Sequence, residues 1–530
     1  LQPWLRVVAD ERSEKTKTNY QALRIAVGMA GMARPHCNGA TIILTRADKE
    51  ASNAFANPNV TANYTLAWLL GAKRVHNLDI DYMGQWNERD APKPYNDALR
   101  AAVAASELGD TTTVLNRLPH YPGTGTDNAP RGCSDKVWNT TDGSNWVDEE
   151  GSIYDGRSAR CLARCINRGY VTGCHTATFQ WHLISSFYDY LPWSRCGVAV
   201  ANEPWSGHYE ITSPTWAIAH TTQFATPGWR YTQHNSGVTM LGQGGSIVTR
   251  VSPDFSDFSM VIEKMTTKNS ECARGNNPEV DVSEEKVVLI LKGKLLAAAK
   301  SKGLYVWRSN MTSSNSEGIN PPTDQVFQKL PGKLPIGSDS SVSIDVHPDE
   351  MYTITTIATG QKGTHPVTQA LPAAPFPLPF IQAFDEENVS SPPVLWYDQM
   401  GAWEVQKGTD KPGNIMRQVS PVWPACWGYS CSGPLTYFGP STFNQTDNMV
   451  ISIDVKLEDH GTFSFYGQSS GRGGVSLSTN GTSSVFVGKG HTDATVDFTV
   501  NKWHNMTLTF TSSSLAVDLD GKSVATANGQ

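Results

Sequence analysis

The stretch of this sequence best placed to do chemistry is Leu78-Asp-Ile-Asp-Tyr-Met-Gly-Gln-Trp-Asn-Glu-Arg89, an alternating run that closes on Asn87-Glu88. A carboxyl group there, preceded by Trp86, suits a general acid that protonates the leaving oxygen of a sugar acetal. Glu88 could instead pair with Arg89, yet the end of a parallel strand is where a (β/α) barrel gathers its catalytic groups. Glycoside cleavage then needs a second carboxylate across the scissile bond. Two stretches compete to supply it, Trp138-Asn-Thr-Thr-Asp142 and Trp146-Val-Asp-Glu149-Glu150. Two carboxyl groups about 5 to 5.5 Å apart leave no room for water between them, so the second attacks carbon directly and configuration is retained. An ionised partner that close keeps the acid protonated until the first step is over.

These groups must be positioned by regular elements. Between residue 20 and about 215, β-rich runs such as 40–45 and 78–86 alternate with helical runs such as 62–71 and 95–107. That alternation predicts parallel strands with crossover helices, an α/β region read as a (β/α) barrel over 1–215. From about Ala217 the texture turns all-β: 246–251, 258–263, 286–291, 341–346 and 351–357 are short runs bounded by turn formers, which predicts a β-sandwich over 216–370. Leu371-Pro-Ala-Ala-Pro-Phe-Pro-Leu-Pro379 reads as a stiff linker. Beyond it, runs at 450–457, 462–466, 475–478, 484–487, 503–511 and 515–519 predict a lectin-like β-sandwich, a jelly roll, over 380–530, still short of a full set of strands at Gln530.

Composition narrows the class. A chain of 530 residues is too long for one core. It is 39% hydrophobic and 18% charged, with no apolar run long enough for a transmembrane helix. A net charge of −7 argues against a nucleic-acid partner. Nine cysteines, among them the close pairs Cys161 with Cys165 and Cys426 with Cys431, lack a CxxC metal pattern and point to disulfides. Eight sequons, at Asn59, Asn63, Asn139, Asn310, Asn388, Asn444, Asn480 and Asn505, agree with a secretory-pathway glycoprotein. Leu1 opens in a stretch that reads as helix rather than as a signal peptide, so a mature or partial chain is expected.

The ordered motifs Gly71-Ala-Lys-Arg74, Asp79-Ile-Asp-Tyr with Trp86-Asn-Glu-Arg89, His120-Tyr-Pro-Gly123, Leu191-Pro-Trp-Ser-Arg-Cys-Gly197, Glu203-Pro-Trp-Ser-Gly-His-Tyr209, His220-Thr-Thr-Gln-Phe224, Pro227-Gly-Trp229, Asp398-Gln-Met-Gly401 and Arg417-Gln-Val419 together resemble the galactocerebrosidase (galactosylceramidase) family of glycoside hydrolases. The resemblance implies a (β/α)8 TIM barrel, a β-sandwich and a C-terminal lectin-like jelly-roll domain, with a retaining mechanism. It makes Glu88 the acid/base and gives Asn87 to the sugar. The family's Trp-x-x-Glu-acidic-x-Ser pattern is met by Trp146 to Ser152, which makes Glu149 the nucleophile. Aligning on Trp138 instead would put Thr141 there and leave no nucleophile. Trp181 matches a barrel-strand tryptophan against which a sugar ring would lie, whereas Trp193 and Trp205 read equally as core. His120, His208 and His220 fall in family-like motifs and are expected to serve as structural hydrogen-bonding groups. A Cys161–Cys272 disulfide matches a family bridge, and Cys426–Cys431 is local to this chain. A structural calcium ion is expected near Asp385 in the lectin-like domain, where Asp385 would be one oxygen ligand of several; no other cofactor is required.

The chain departs from the family in three places. No Gly-rich segment with a sugar-contacting Thr precedes Glu88, so the barrel is expected to lack its first strands. The motifs run closer together around Val114 and Leu115 than in the family. Thr359-Gly360 is followed by Gln361 where the family has an arginine that reaches the sugar. The leading reading is a lysosomal or secreted retaining exo-β-galactosidase of a galactosyl lipid or glycan, in sphingolipid metabolism, with a lipid-presenting protein or an extracellular assembly as possible partner. The alternative is a non-catalytic glycan-binding or extracellular structural protein on the same scaffold.

Overall fold

The computed structural model describes residues 26–27, 55, 57–80, 82–84, 91–114, 146–150, 156–174, 176–181, 183–186, 198–266, 281–312, 324–360, 371–400, 402–419, 434–439, 448–467, 473–487, 490–511 and 513–528. Contacts divide the chain into two units: residues 1–185 with 195–438, and residues 186–194 with 439–530.

The first part of unit one is built of parallel strands and the helices between them. Strand β1 (Ala26–Val27), β2 (Tyr82–Met83) and β3 (Thr113–Val114) form a parallel sheet in that order. Helix α1 (Pro58–His76) lies between the first two in sequence and α2 (Lys93–Ala104) between the next two. Asn57 caps α1 by accepting the Val60 amide at 3.3 Å, Pro58 opens it, and Asn77 ends it with φ of 49°. Thr61, Ala62, Thr65, Leu69 and Ala72 give α1 its buried stripe, which meets Tyr95, Leu99 and Val103 of α2 at i, i+4 and i+8. Strand β4 (Trp146–Glu150) and β5 (Ala177–Trp181) form a second parallel pair joined through α3 (Gly156–Gly173). The predicted alternation over 40–45 lies outside the described residues.

Three short strands follow, β6 (Ile184–Ser186), β7 (Ala199–Ala201) and β8 (Glu210–Ile211), in one sheet, and then α4 (Ser213–Thr222). Here the chain turns antiparallel. The strands are β9 (Arg230–Tyr231), β10 (Val238–Met240), β11 (Ser246–Val251), β12 (Phe258–Glu263), β13 (Glu285–Ile290), β14 (Tyr305–Asn310), β15 (Gln328–Lys329), β16 (Ser341–Val346) and β17 (Glu350–Thr355). A seven-stranded sheet runs β10-β11-β12-β17-β14-β15 with β9 added on β11, and β13 pairs with β16 as a second sheet. Ile247, Phe258, Met260, Ile262, Tyr352 and Ile354 face Val287, Val342 and Val346 of the second sheet and Ala299 of α5 (Gly293–Lys302) across one apolar core.

One feature departs from a sandwich with a solvated outer face: β11, β12 and β17 are buried along their whole length. Helices α3 and α4 cover the far side of the large sheet. Ala159 and Ala163 of α3 and Ala217 of α4 form a cluster with Val261, Met265 and Met351, because alanines let a helix approach closely. Polar residues on this face, Ser246, Arg250, Ser259 and Glu263, are buried with it.

The rest of unit one holds two small antiparallel pairs, β18 (Trp396–Met400) with β21 (Leu435–Phe438) and β19 (Trp403–Lys407) with β20 (Asn414–Gln418). The proline-rich segment is tied down: Phe376 packs edge-on against Trp205 and Phe438.

Unit two contains two four-stranded antiparallel sheets. One is β22 (Met449–Val455), β27 (His504–Phe510), β28 (Ser514–Leu519) and β29 (Lys522–Asn528). The other is β23 (Thr462–Gly467), β24 (Gly473–Ser478), β25 (Thr482–Val487) and β26 (Gly490–Thr495). Val475, Leu477 and Val485 of one sheet and Met506, Leu508, Val517 and Ala527 of the other share a core. Among the described residues no helix is long and apolar enough to cross a membrane. The architecture is therefore α/β at the start and all-β after it.

Candidate active site

Glu149 and Trp181 lie at the C-terminal ends of the parallel strands β4 and β5. Their register sets Glu149 opposite Gln180 and Glu150 opposite Trp181. The C-terminal ends of parallel strands are the side on which α/β folds build their sites. Only the backbone of these two residues is described. Asn87 and Glu88 fall in the chain between the end of β2 and the start of α2, and Gln361 follows β17; all three lie outside the described residues. So does the rival stretch with Thr141.

The strand pair is connected in sequence by α3, and α3 is fastened to the large sheet by polar contacts that sequence reading did not pick out. Asn167 donates from Nδ2 to the carbonyls of Val261 at 2.9 Å and Ser246 at 3.4 Å. The Arg160 guanidinium donates to the Met311 carbonyl. Beside them Glu263 accepts from Ser246 Oγ at 2.6 Å and from the Met265 amide at 3.0 Å. Burial pushes its carboxyl pKa up; these two hydrogen bonds and the nearby Arg164 and Arg168 work in the opposite direction. Arg250 is different. Its Nε and Nη1 are buried without a hydrogen-bond partner among the described residues, and its guanidinium lies 4.9 Å from the Tyr231 ring centroid. The only sequence signal for this face was the polar residues themselves, which a sandwich reading sends to solvent.

His220 joins α4 to the same sheet. Its Nδ1 lies 2.7 Å from Thr353 Oγ1 and its Nε2 2.7 Å from Ser309 Oγ. Thr353 spends its one hydroxyl proton on the His220 carbonyl, and Ser309 Oγ already accepts the Phe327 amide. The network therefore assigns the proton to Nδ1 and makes Nε2 the acceptor from Ser309. Complete burial lowers the imidazole pKa to about 3, so the ring is neutral. This is a structural histidine, as expected. His208 likewise bonds the Leu371 carbonyl at 2.7 Å through Nδ1; His120 lies outside the described residues. Trp205 donates from Nε1 to the Ala374 carbonyl at 2.7 Å, so it braces the proline-rich segment. Trp193 is outside the described residues.

Cys161 and Cys174 are each engaged in a disulfide. Cys165 is not disulfide-bonded, and its Sγ is 3.9 Å from that of Cys161, so the close spacing of these two in sequence does not mark a bridge between them. Cys272, Cys426 and Cys431 lie outside the described residues. Asp385 Oδ1 accepts the Asn414 amide at 2.7 Å. Among the described residues no three His, Cys, Asp or Glu side chains gather as a metal site. Of the eight sequons, Asn139 and Asn444 are outside the described residues; Asn59, Asn63, Asn388, Asn480 and Asn505 are exposed, and Asn310 is half-buried.

Residues 49–118 and 118–223 match the profile of glycosyl hydrolase family 59, and residues 231–361 match that of the family's central domain. Galactocerebrosidase of Homo sapiens is 31% identical over 517 residues, which cover 89% of this chain and 71% of the human protein. Galactocerebrosidase of Salmo salar is 34% identical over 434 residues, covering 76% of this chain and 60% of its own length. That of Canis lupus familiaris is 32% identical over 431 residues and is covered to 60%. This chain thus spans about 60 to 71% of the length of these relatives. Among solved structures, a glycoside hydrolase family 30 subfamily 8 xylanase from Clostridium acetobutylicum is 12% identical at a TM-score of 0.36, over 57% of this chain and 72% of that one.

Proposed function

This chain belongs to glycosyl hydrolase family 59, and we propose that it is a retaining exo-β-galactosidase acting on a β-galactosyl lipid or glycan. The observation that carries the assignment of residues is the parallel pair β4 and β5, which brings Glu149 to the C-terminal end of a strand. In this reading Glu88 is the acid/base and Glu149 the nucleophile. Asn87, Trp181 and Gln361 bind the sugar, within a (β/α)8 barrel over 1–215 followed by a β-sandwich to 370, a linker over 371–379 and a jelly-roll lectin-like domain to 530. Nothing in the structure or in the relatives favours the non-catalytic alternative.

The reaction runs in two steps. Glu149 attacks the anomeric carbon while Glu88 gives its proton to the departing oxygen, forming a galactosyl ester and releasing the aglycone. Esterification removes the charge of Glu149. Glu88, now ionised, takes a proton from water as that water attacks the same carbon, and galactose leaves with its original configuration. Gln361 would offer the sugar a neutral hydrogen bond where the family has a cation, which bears on substrate choice. The Cys161–Cys272 and Cys426–Cys431 bridges, a lysosomal or secreted location, a calcium ion near Asp385 and a lipid-presenting partner belong to the same proposal.

Hydrolysis of aryl β-galactosides by the parent, Glu149→Gln and Glu88→Gln tests it, with azide as a rescuing nucleophile. Loss of Glu149 should be rescued to give α-galactosyl azide, and loss of Glu88 to give the β-anomer with a good leaving group. A parent inert toward every β-galactoside tried, or a Glu149→Gln variant as active as the parent, overturns the assignment.

A further inference from the structure

The outer face of the β23–β26 sheet in unit two carries hydroxyls where a solvated sheet usually carries charge. Thr462, Ser478, Thr482 and Thr495 follow one another across the four strands, the outer pairs in direct register and the middle two flanking the Ser478–Thr482 hairpin turn. Beside them Ser464, Ser476, Ser484 and Asp493 are successive register partners. Together with the hairpin turn, all of these except Ser464 border an open groove of about 680 Å³. Among the described residues no lysine or arginine lines it, and Asp493 is the single carboxylate. Such a lining offers donors and acceptors to a neutral polyol and no positive charge to hold an anion. Four strands at about 4.8 Å spacing make the row roughly 14 Å long.

Asn480 of the sequon Asn480-Gly-Thr482 stands on the rim. Thr482 donates to Asn480 Oδ1 twice, from its amide at 3.1 Å and from its hydroxyl at 2.7 Å. The amide oxygen is thereby pinned to the turn, and the exposed Nδ2 is left as the reactive end. Asn388 is exposed like Asn480 but borders no such groove, and the other four described sequons differ. Asn59 and Asn63 lie in the body of α1. Asn310 has a similar turn but is half-buried in the strand pair β14 and β17. Asn505 has committed Nδ2 to Asp454 Oδ1 at 2.8 Å and Ser452 Oγ at 3.2 Å.

We propose that Asn480 is N-glycosylated and that its own glycan lies in the groove of the β23–β26 sheet. In the transfer, Nδ2 bonds to the anomeric carbon of a lipid-linked glycosyl pyrophosphate. The bond from that carbon to the phosphate oxygen breaks, the pyrophosphate leaves, and one amide proton is lost. The tether then holds the first sugars beside the hydroxyl rows at a high effective concentration, so weak contacts suffice to seat them. Asn505 stays bare, since transfer would require it to surrender two hydrogen bonds.

The proposal rests on passage through the secretory pathway, and the test separates the two. The full chain is secreted from cultured eukaryotic cells and its glycopeptides are mapped by mass spectrometry. Native release of the Asn480 glycan by an oligomannose-specific endoglycosidase is timed for the parent and for Thr495→Trp, whose exposed position on the edge strand lets a large ring fill the groove. Expected are an occupied Asn480, a bare Asn505, and release from the parent several-fold slower than from Thr495→Trp or from denatured protein. A bare Asn480 beside occupied sequons elsewhere overturns this proposal alone. Release equally fast from parent, variant and denatured protein overturns the seating in the groove. No glycan at any sequon overturns the secretory reading and this proposal with it.

Discussion

Acidification should weaken unit one through His220, and the size of the effect follows from the structure. The unfolded imidazole titrates near 6.5, while burial holds the folded one at about 3. As pH falls the unfolded chain takes up the proton first. The stabilising effect of keeping the ring neutral is present in full above 6.5 and drains away until about pH 3, where the folded form is protonated too. At a limiting slope of about 1.4 kcal/mol per pH unit, with half of the unfolded chains already protonated at 6.5, the drop from 6.5 to 4.5 removes about 2.3 kcal/mol. His220→Gln supplies the comparison, because an amide neither titrates nor spans both Thr353 and Ser309. Urea unfolding of parent and variant at pH 7.0, 5.5 and 4.5 should show the variant less stable at pH 7 by about 2 kcal/mol. By pH 4.5 the gap should close. Parallel pH profiles for the two proteins would refute both the neutral tautomer and the linkage drawn from it.

Other perturbations probe separate parts. Glu149→Gln should lower kcat by about 10⁴-fold or more while the unfolding curve stays put, as steady-state assays beside denaturation would show. Arg250→Met should leave stability unchanged or raise it by about 1 to 3 kcal/mol, since it replaces a buried guanidinium whose Nε and Nη1 lack partners among the described residues; a loss of that size would mean the stacking on Tyr231 outweighs desolvation. Lys264, fully buried, donates to the carbonyls of Gln243 at 2.9 Å and Gly244 at 2.6 Å and to Glu285 at 2.7 Å. Its replacement by Ala should cost about 3 to 5 kcal/mol by denaturant titration. At Gly245, with φ of +83°, a Cβ would stand 2.2 Å from the Glu263 carbonyl oxygen. Gly245→Ala should therefore destabilise by about 2 kcal/mol or more, read as a lowered thermal midpoint.

What could be read in advance follows from what each residue faces. Ser246–Val251, Phe258–Glu263 and Ser341–Val346 coincide with the predicted runs because turn formers bound them tightly. The strands of unit two agree to within one or two residues for the same reason. Gly490–Thr495 and Lys522–Asn528 went unread, having few large apolar residues to mark a strand. Helix Gly293–Lys302 was passed over although its Leu-Leu-Ala-Ala-Ala core is strongly helix-forming, since it is short and set among strands. At the site, sequence could name Glu149 and Trp181, but only pairing reveals that Glu149 registers with Gln180. The fastening by Asn167 and His220 depends on partners 94 and 133 residues away, which no local pattern encodes.

The sheet buried on both faces also bears on how the molecule is made. Helices α3 and α4 leave the ribosome well before the strands on which they lie, and the last of these, β17, ends at Thr355. At ordinary synthesis rates of roughly 5 to 20 residues per second, the strands and helices that carry the candidate site wait on the order of ten seconds for their backing. During that interval Ala159, Ala163 and Ala217 lack Met351 and the rest of the completed sheet to rest on. Nascent chains stalled before residue 340 should accordingly engage chaperones and yield to protease, while chains released past β17 should not.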